Sequence, residues 1–302
     1  YIMLYWKKLK VKVHNKGGKM KKYPVKVLGF GDNVVDKYTH IHTMYPGGNC
    51  VNFAVYSSMI GVERSAYMGY FGNDSEAEHV IQTLEKIPIE IYKCSQLNGE
   101  NGCAKVSIEN GERIFLGSNL GGIRGKTEFE LDRFDLQYIA GFDLVHSGNY
   151  SFMERQIPKI QNLGVPVSFD FSDCSTESYK KEMCAVVDYA FLSCGGRSLK
   201  EAEEETRALV SYGAKLAVAT RGSEPCVAYD GKSFYYQEPK KIENVRDTMG
   251  AGDSFITAFL VHYISDKKAG QANIGKALDM ASQFAAQICL LEGAFGYGKK
   301  YQ

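Results

Sequence analysis

No stretch of this chain stays apolar for the roughly 18 uninterrupted residues that a membrane-spanning helix needs, so the sequence offers no candidate span. Charge of one sign is equally scarce: 36 Lys+Arg against 35 Asp+Glu leave a formal net charge of +1. No electrostatic pull toward nucleic acid or an anionic membrane follows from such a balance. Aromatic residues are plentiful but scattered through apolar patterns without basic residues between them, which excludes a base-stacking platform. There are eight cysteines but no CxxC. Cys174, Cys184 and Cys194 are evenly spaced, yet each falls in a different expected element. These are expected to be reduced thiols of a cytoplasmic protein, not a disulfide scaffold. Internal repeats, linkers and low-complexity tracts are also missing.

What remains is an ordinary globular composition, 302 residues with 44% hydrophobic side chains, enough for one large domain or two modest ones. The opening "YIMLYWKKLKVKVHNKGGK" sets lysines inside what would be the apolar core of an export signal. The globular pattern starts only after Met20. Residues 1–22 are therefore expected to be an appendage with a native start at Met20, and 23–302 a single domain.

From Val25 onward, buried β-rich runs alternate with helical patterns. "VKVLGFG", "SAYMGYFG", "FDLVHSG", "VPVSFDF", "DYAFLSC" and "KLAVATRG" read as strands. "NCVNFAVYSSMIG", "DSEAEHVIQTLEKI", "SYKKEMCAVV" and "SLKEAEEETRALVSYG" read as helices. Such alternation specifies an α/β fold with a mostly parallel sheet covered on both faces. Two segments break it: "KYTHIHTMYPGG", and "CAKVSIENGERIFL" with Asn110-Gly111 at a hairpin turn. They are expected to form a small accessory sheet, a lid over about 36–48 and 91–118.

Glycine-rich stretches need separating. "GFGDNVV" and "GAGDSFI" both lack the third small residue of a dinucleotide fingerprint, with Val34 and Phe255 at that place. "GGIRGKT" resembles a phosphate loop, but Leu120 stands where its first glycine belongs. Thr127 and Glu130 are instead expected to form a capping box before "FELDRFDLQYI". His40 and His42 lack a nearby acidic or cysteine partner and are expected to be lid residues, not metal ligands.

"DTMGAGDSF" is more informative. Gly250, Ala251 and Gly252 precede a long apolar helix, whose first N–H groups have no intrahelical partner and point outward. Small residues let an anion approach them, and Asp253 sits in the same turn. An anion hole beside a carboxylate base suits phosphoryl transfer to an alcohol. From this stretch alone, a simple helix cap is the favoured reading of Asp253. "GGNCVN" adds Gly47 and Gly48 before a second helix, with Asn52 one turn in, and its simpler reading is a helix cap at Asn49. "GDNVVD" adds Asp32, Asn33 and Asp36 at the end of the first strand, where α/β proteins bind ligands.

Together, "GGNCVN" and "DTMGAGDSF" resemble the paired signatures of the ribokinase-like (phosphofructokinase-B type) carbohydrate kinases, over about Val25 to Phe295. The resemblance implies a three-layer fold with a β-sheet lid, and ATP and Mg2+ as cofactors. It makes Asp253 the catalytic base and Gly250, Ala251 and Gly252 the anion hole. Asp36, Gly47, Gly48 and Asn52 would hold the sugar, under a hairpin bearing Arg113. "GDNVVDKY", "GGNCVNFAVY", "FDFSD" and "DTMGAGDSFI" are most similar to the fructoselysine-phosphorylating members. That implies a fructosamine acceptor, recognised by Asp32, Asn33, Asp170 and Asp173, with another sugar or nucleoside as the alternative. Thr220, Gly222 and Ser193 would face the nucleotide. Asp247 would organise its loop, and the family admits a monovalent cation there and pairing of two chains through the lid. Three places depart from the pattern: Ser193 and Gly196 replace an Asn-x-x-Glu element, Pro225 replaces a glycine, and Thr257 replaces a smaller residue. The expected activity is that of an ATP-dependent sugar kinase, and those departures suggest a non-catalytic sugar-binding protein as the out-of-class alternative.

Overall fold

The β-branched and aromatic runs form strands in the computed structural model, which describes residues 23–109, 112–173 and 175–302. The segment expected to be an appendage lies outside them. In chain order come β1 (Tyr23–Phe30), β2 (Val34–Tyr38), β3 (Thr43–Gly47) and β4 (Val62–Met68). β5 (Tyr70–Phe71), β6 (Ser95–Gln96), β7 (Gly102–Glu109) and β8 (Glu112–Ser118) follow. Next are β9 (Leu144–Gly148), β10 (Val167–Asp170), β11 (Tyr189–Ser193) and β12 (Leu216–Arg221). The last are β13 (Glu224–Tyr229), β14 (Phe234–Gln237) and β15 (Lys299–Lys300).

An eight-stranded sheet runs β14-β13-β12-β11-β10-β9-β1-β4. Its pairs from β4 to β12 are parallel, and these are the strand runs read from the sequence. The antiparallel edge β13–β14 has no counterpart in that reading, because Pro225 and half-exposed aromatics blur its pattern. Side chains alternate across β1. Val25 and Val27 join a core with the helices Asn49–Ile60, Ala251–Lys268 and Ile274–Ile288. Leu28 and Phe30 join the opposite core, with Arg133–Ile139, Ile157–Gln161, Glu177–Cys184 and Leu199–Ser211. A sheet buried on both faces explains why its strands read as continuous apolar runs.

The smaller sheet runs β15-β3-β2-β7-β8. It uses the segments expected as a lid and adds β15. Asn110 and Gly111, the expected hairpin turn, lie outside the described residues. They fall between Glu109 and Glu112, the last cross-strand pair of β7 and β8.

One local expectation is corrected. The capping box is not Thr127–Glu130: Asp132 accepts from the Phe134 and Asp135 N–H groups, and Asp135 returns to Asp132. Phe129 and Leu131 are buried, and the Leu131 N–H is taken by Gln156, so the chain there is fixed outside a helix. Thr127 instead closes the single turn Ile123–Lys126. Among the described residues no helix is long and apolar enough to cross a membrane.

Between β1 and β9 the winding reverses, since the chain passes from β1 outward to β4 and returns to β9 on the other side. Open α/β sheets bind ligands at the carboxyl ends of strands beside such a reversal.

Candidate active site

At the carboxyl end of β1, Asp32 accepts from the Asn49 N–H at 2.8 Å and the Cys50 N–H at 3.2 Å. The Ser151 hydroxyl donates to the same carboxylate at 2.9 Å. Asp32 thus anchors the start of the Asn49–Ile60 helix, opposite the positive end of its dipole. Gly48 precedes that helix at φ 105, and a Cβ there would lie 2.9 Å from both the Asn33 Cα and the Asp32 carboxylate. Asn33 donates to the Tyr67 hydroxyl at 2.9 Å and the Tyr70 carbonyl at 2.6 Å. Asp36, on β2, lies against Gly47, where a Cβ would meet its Oδ2 at 2.7 Å.

The simpler reading of a helix cap at Asn49 does not hold, since Gly48 occupies that position and the Asn49 side chain turns instead to two carboxylates. Its amide nitrogen donates to Asp253 at 2.9 Å and to Asp170, at the end of β10, at 3.1 Å. Asn52, one turn on, donates to the other Asp253 oxygen at 2.5 Å. Two amides therefore hold both oxygens of Asp253, and two carboxylates converge on one amide. Burial raises the Asp253 pKa against these hydrogen bonds, and nearby Asp32 adds to the rise. Asp170 is pushed up to about 7, chiefly by burial, with Asp253 and Asp32 contributing. The Oδ1 atoms of Asn33 and Asn52 are buried without a hydrogen-bond partner among the described residues.

Asp253 lies in the first turn of the Ala251–Lys268 helix. Gly250 before it is left-handed at φ 72, and a Cβ there would fall 2.2 Å from the Tyr56 hydroxyl. Gly252 is different: a Cβ would meet nothing within 4 Å, so its backbone faces open space. The Ala251 N–H already donates to the Thr248 carbonyl at 3.2 Å. Asp247 accepts from the Met249 N–H at 2.9 Å, the Gly293 N–H at 3.0 Å and the Tyr38 hydroxyl at 2.5 Å. It joins this loop to the chain's last turns and to the smaller sheet.

Ser193 ends β11 and pairs in register with Thr220, the last residue but one of the adjacent parallel strand β12. Gly222 follows at φ 66 beside open space. These three sit on the β11–β12 side, while Asp32, Asp170 and Asp253 surround the reversal. Asp173 is exposed, and its charge adds to the raised pKa of Asp170. The Arg113 side chain lies outside the described residues. Among those residues no group of three or more His, Cys, Asp or Glu is placed to hold a metal ion.

The matching family model is the pfkB family carbohydrate kinase, over residues 25–296. The chain belongs to the pfkB family of carbohydrate kinases. This family member is an ATP-dependent sugar kinase. It is 39% identical over 279 residues to fructosamine kinase FrlD of Bacillus subtilis, across 92% of this chain and 95% of that protein. It is 30% identical to fructoselysine 6-kinase of Escherichia coli, across 80% and 90%. The structure of an Arabidopsis thaliana ribokinase complexed with ribose and ATP superposes with TM-score 0.75 at 16% identity, across 90% and 95%.

From the sequence, Asn49 reads only as a helix cap and His146 is given no place among the site residues, yet the two meet beside Asp253. Asn49 had a signal: it lies three residues before Asn52, hence on the same helical face. His146 meets Asn49 from 97 residues away in sequence, and no local pattern announces such a contact.

Proposed function

We propose that the protein transfers the γ-phosphoryl group of ATP to the 6-hydroxyl of a fructosamine, most plainly fructoselysine. The observation that carries this reading is Asp253, held through both oxygens in the first turn of a helix whose Gly252 backbone faces open space. The substrate class rests on the similarity to fructosamine kinase FrlD and fructoselysine 6-kinase.

In this reading Asp253 accepts the hydroxyl proton as the sugar oxygen bonds to the γ-phosphorus and the bond to the β-phosphate oxygen breaks, releasing ADP. The helix N-terminus faces the charge on the transferring group, with no side chain at Gly252 to keep it away. The orphaned acceptors of Asn33 and Asn52 suit sugar hydroxyls, because an unpaired buried acceptor costs roughly 1–3 kcal/mol until a donor arrives. Asp170 suits the substrate's protonated amine. Asp36, Gly47 and Gly48 complete the sugar side, and Thr220, Gly222 and Ser193 the nucleotide side. The smaller sheet would act as a lid over the sugar, keeping water from the phosphoryl group.

The fold fits nucleotide phosphates better than it fits a protein-held metal. Ser193 and Gly196 supply no carboxylate, so Mg2+ would arrive on the nucleotide, held mainly by phosphate oxygens and water. A monovalent cation, if used, would sit at the Asp247 loop, held by its carbonyl oxygens, since the carboxylate is already engaged by three donors.

ADP release from Mg·ATP, measured with fructoselysine, fructose, ribose and adenosine, tests the assignment. The expected result is a kcat/KM for fructoselysine well above the other three. Turnover confined to another acceptor would remove the substrate class and leave the chemistry standing. Sugar binding without ADP release would favour the binding-protein reading, with Ser193, Gly196 and Pro225 as its cause.

A further inference from the structure

We propose that His146, fixed by Ser168, is a positioning residue that sets the orientation of Asn49 and through it the basicity of Asp253. The inference rests on the reading of Asp253 as the base. His146 lies on β9 with 1% of its surface exposed, and it reaches Asp253 only through Asn49.

The hydrogen bonds around it permit one arrangement. Asn49 directs a single atom, Nδ2, at two carboxylates, 2.9 Å from Asp253 and 3.1 Å from Asp170. Carboxylates accept, so that atom is the amide nitrogen and both its protons are committed. The amide oxygen therefore points away, 2.8 Å from His146 Nε2. An amide oxygen accepts only, so Nε2 carries the imidazole proton. His146 Nδ1 is then an acceptor, and the Ser168 hydroxyl, 2.8 Å from it and 3.4 Å from the Val145 carbonyl, gives its one proton to the nearer ring nitrogen. Ser168 is on the neighbouring strand β10 and fully buried. The order Ser168 to His146 to Asn49 to Asp253 is fixed in donor direction at every link.

Burial keeps the imidazole neutral, with its pKa lowered to about 3, so the relay holds one protonation state across the working range. Phe53 lies over the ring at 4.5 Å between centroids. The groups facing Asp253 are Asn49, Asn52 and Tyr56 from the Asn49–Ile60 helix, Asp32 from the end of β1 and Asp170 from the end of β10. Of these, the two amides lower the Asp253 pKa, and Asp32 and burial raise it. Release of the Asn49 amide would leave the base higher and less well aimed.

The test is the pH profile of kcat for the wild type, His146→Phe, His146→Gln and Ser168→Ala, with Asp253→Asn alongside. Loss of the Nε2 donor in His146→Phe is expected to lower kcat roughly tenfold to hundredfold through misalignment. It should also move the acid limb of kcat upward by about one pH unit, while KM stays nearly constant. His146→Gln, which can still donate to Asn49, should recover most of the rate and return the limb toward its wild-type position. Ser168→Ala loses only the hydroxyl, should fold readily, and should shift the same limb in the same direction by less. A wild-type acid limb in His146→Phe or Ser168→Ala overturns the proposal, as does a His146→Gln enzyme no better than His146→Phe. Full turnover by Asp253→Asn would instead remove the reading of the base itself.

Discussion

At the residue scale, the loop before the Ala251–Lys268 helix separates two uses of glycine. Gly250 has φ 72 and a Cβ there would lie 2.2 Å from the Tyr56 hydroxyl, which is itself bonded to the Ala294 carbonyl at 2.6 Å. Gly250→Ala is therefore expected to cost about 1–3 kcal/mol of folding stability, measurable by urea denaturation. Gly252 meets nothing that a methyl group would strike. Gly252→Ala should leave stability within about 0.5 kcal/mol and lower kcat, because in the proposed mechanism the added methyl stands where the phosphate approaches. Equal stability losses in the two variants would contradict the different roles. The same loop shows how far residue-level reading reached. Its small residues and carboxylate were legible because a helix start with no side chains has a short sequence signature. The Asn49 contacts were not, since an amide before an apolar helix looks like an ordinary cap.

At the scale of elements, Asp247 joins parts that the sequence keeps far apart. It receives the Tyr38 hydroxyl from β2, the Met249 N–H of its own loop and the Gly293 N–H. Asp247→Ala should lower kcat/KM by roughly tenfold or more, since the turn carrying Gly252 and Asp253 loses its tie to the smaller sheet. Steady-state rates with a fluorescence check of folding would test this; unchanged kinetics would make the carboxylate a purely local turn residue. The parallel strands were legible because burial on both faces makes their sequences continuous apolar runs. β15 was not, because Lys299 and Lys300 are exposed and become a strand only by pairing with Met44 and Thr43. The capping box moved to Asp132 because burial of Phe129 and Leu131 overrode the local signal at Thr127.

At the scale of the whole molecule, two buried groups tilt stability against pH in opposite senses. The folded pKa of Asp170 is about 7, above about 3.9 in an unfolded chain. The folded state thus binds the extra proton between those values, and stability falls as pH rises through that window. The folded pKa of His146 is about 3, below about 6.5 when unfolded. There the unfolded state binds the extra proton, and stability falls as pH drops from about 6.5 toward 3. Asp170→Asn removes the first effect alone. Its melting temperature relative to wild type should rise from pH 5 to pH 8, and a constant difference would contradict the raised pKa.

Asp253 connects these scales, since the two signature segments, the helix start and the strand ends all converge on it. The most direct measurement is phosphoryl transfer to fructoselysine by Asp253→Asn beside the wild type, with sugar binding followed by calorimetry on both. The expected result is a kcat lower by about 10²–10⁴-fold with sugar affinity retained. An Asp253→Asn enzyme that turns over at the wild-type rate would contradict the account.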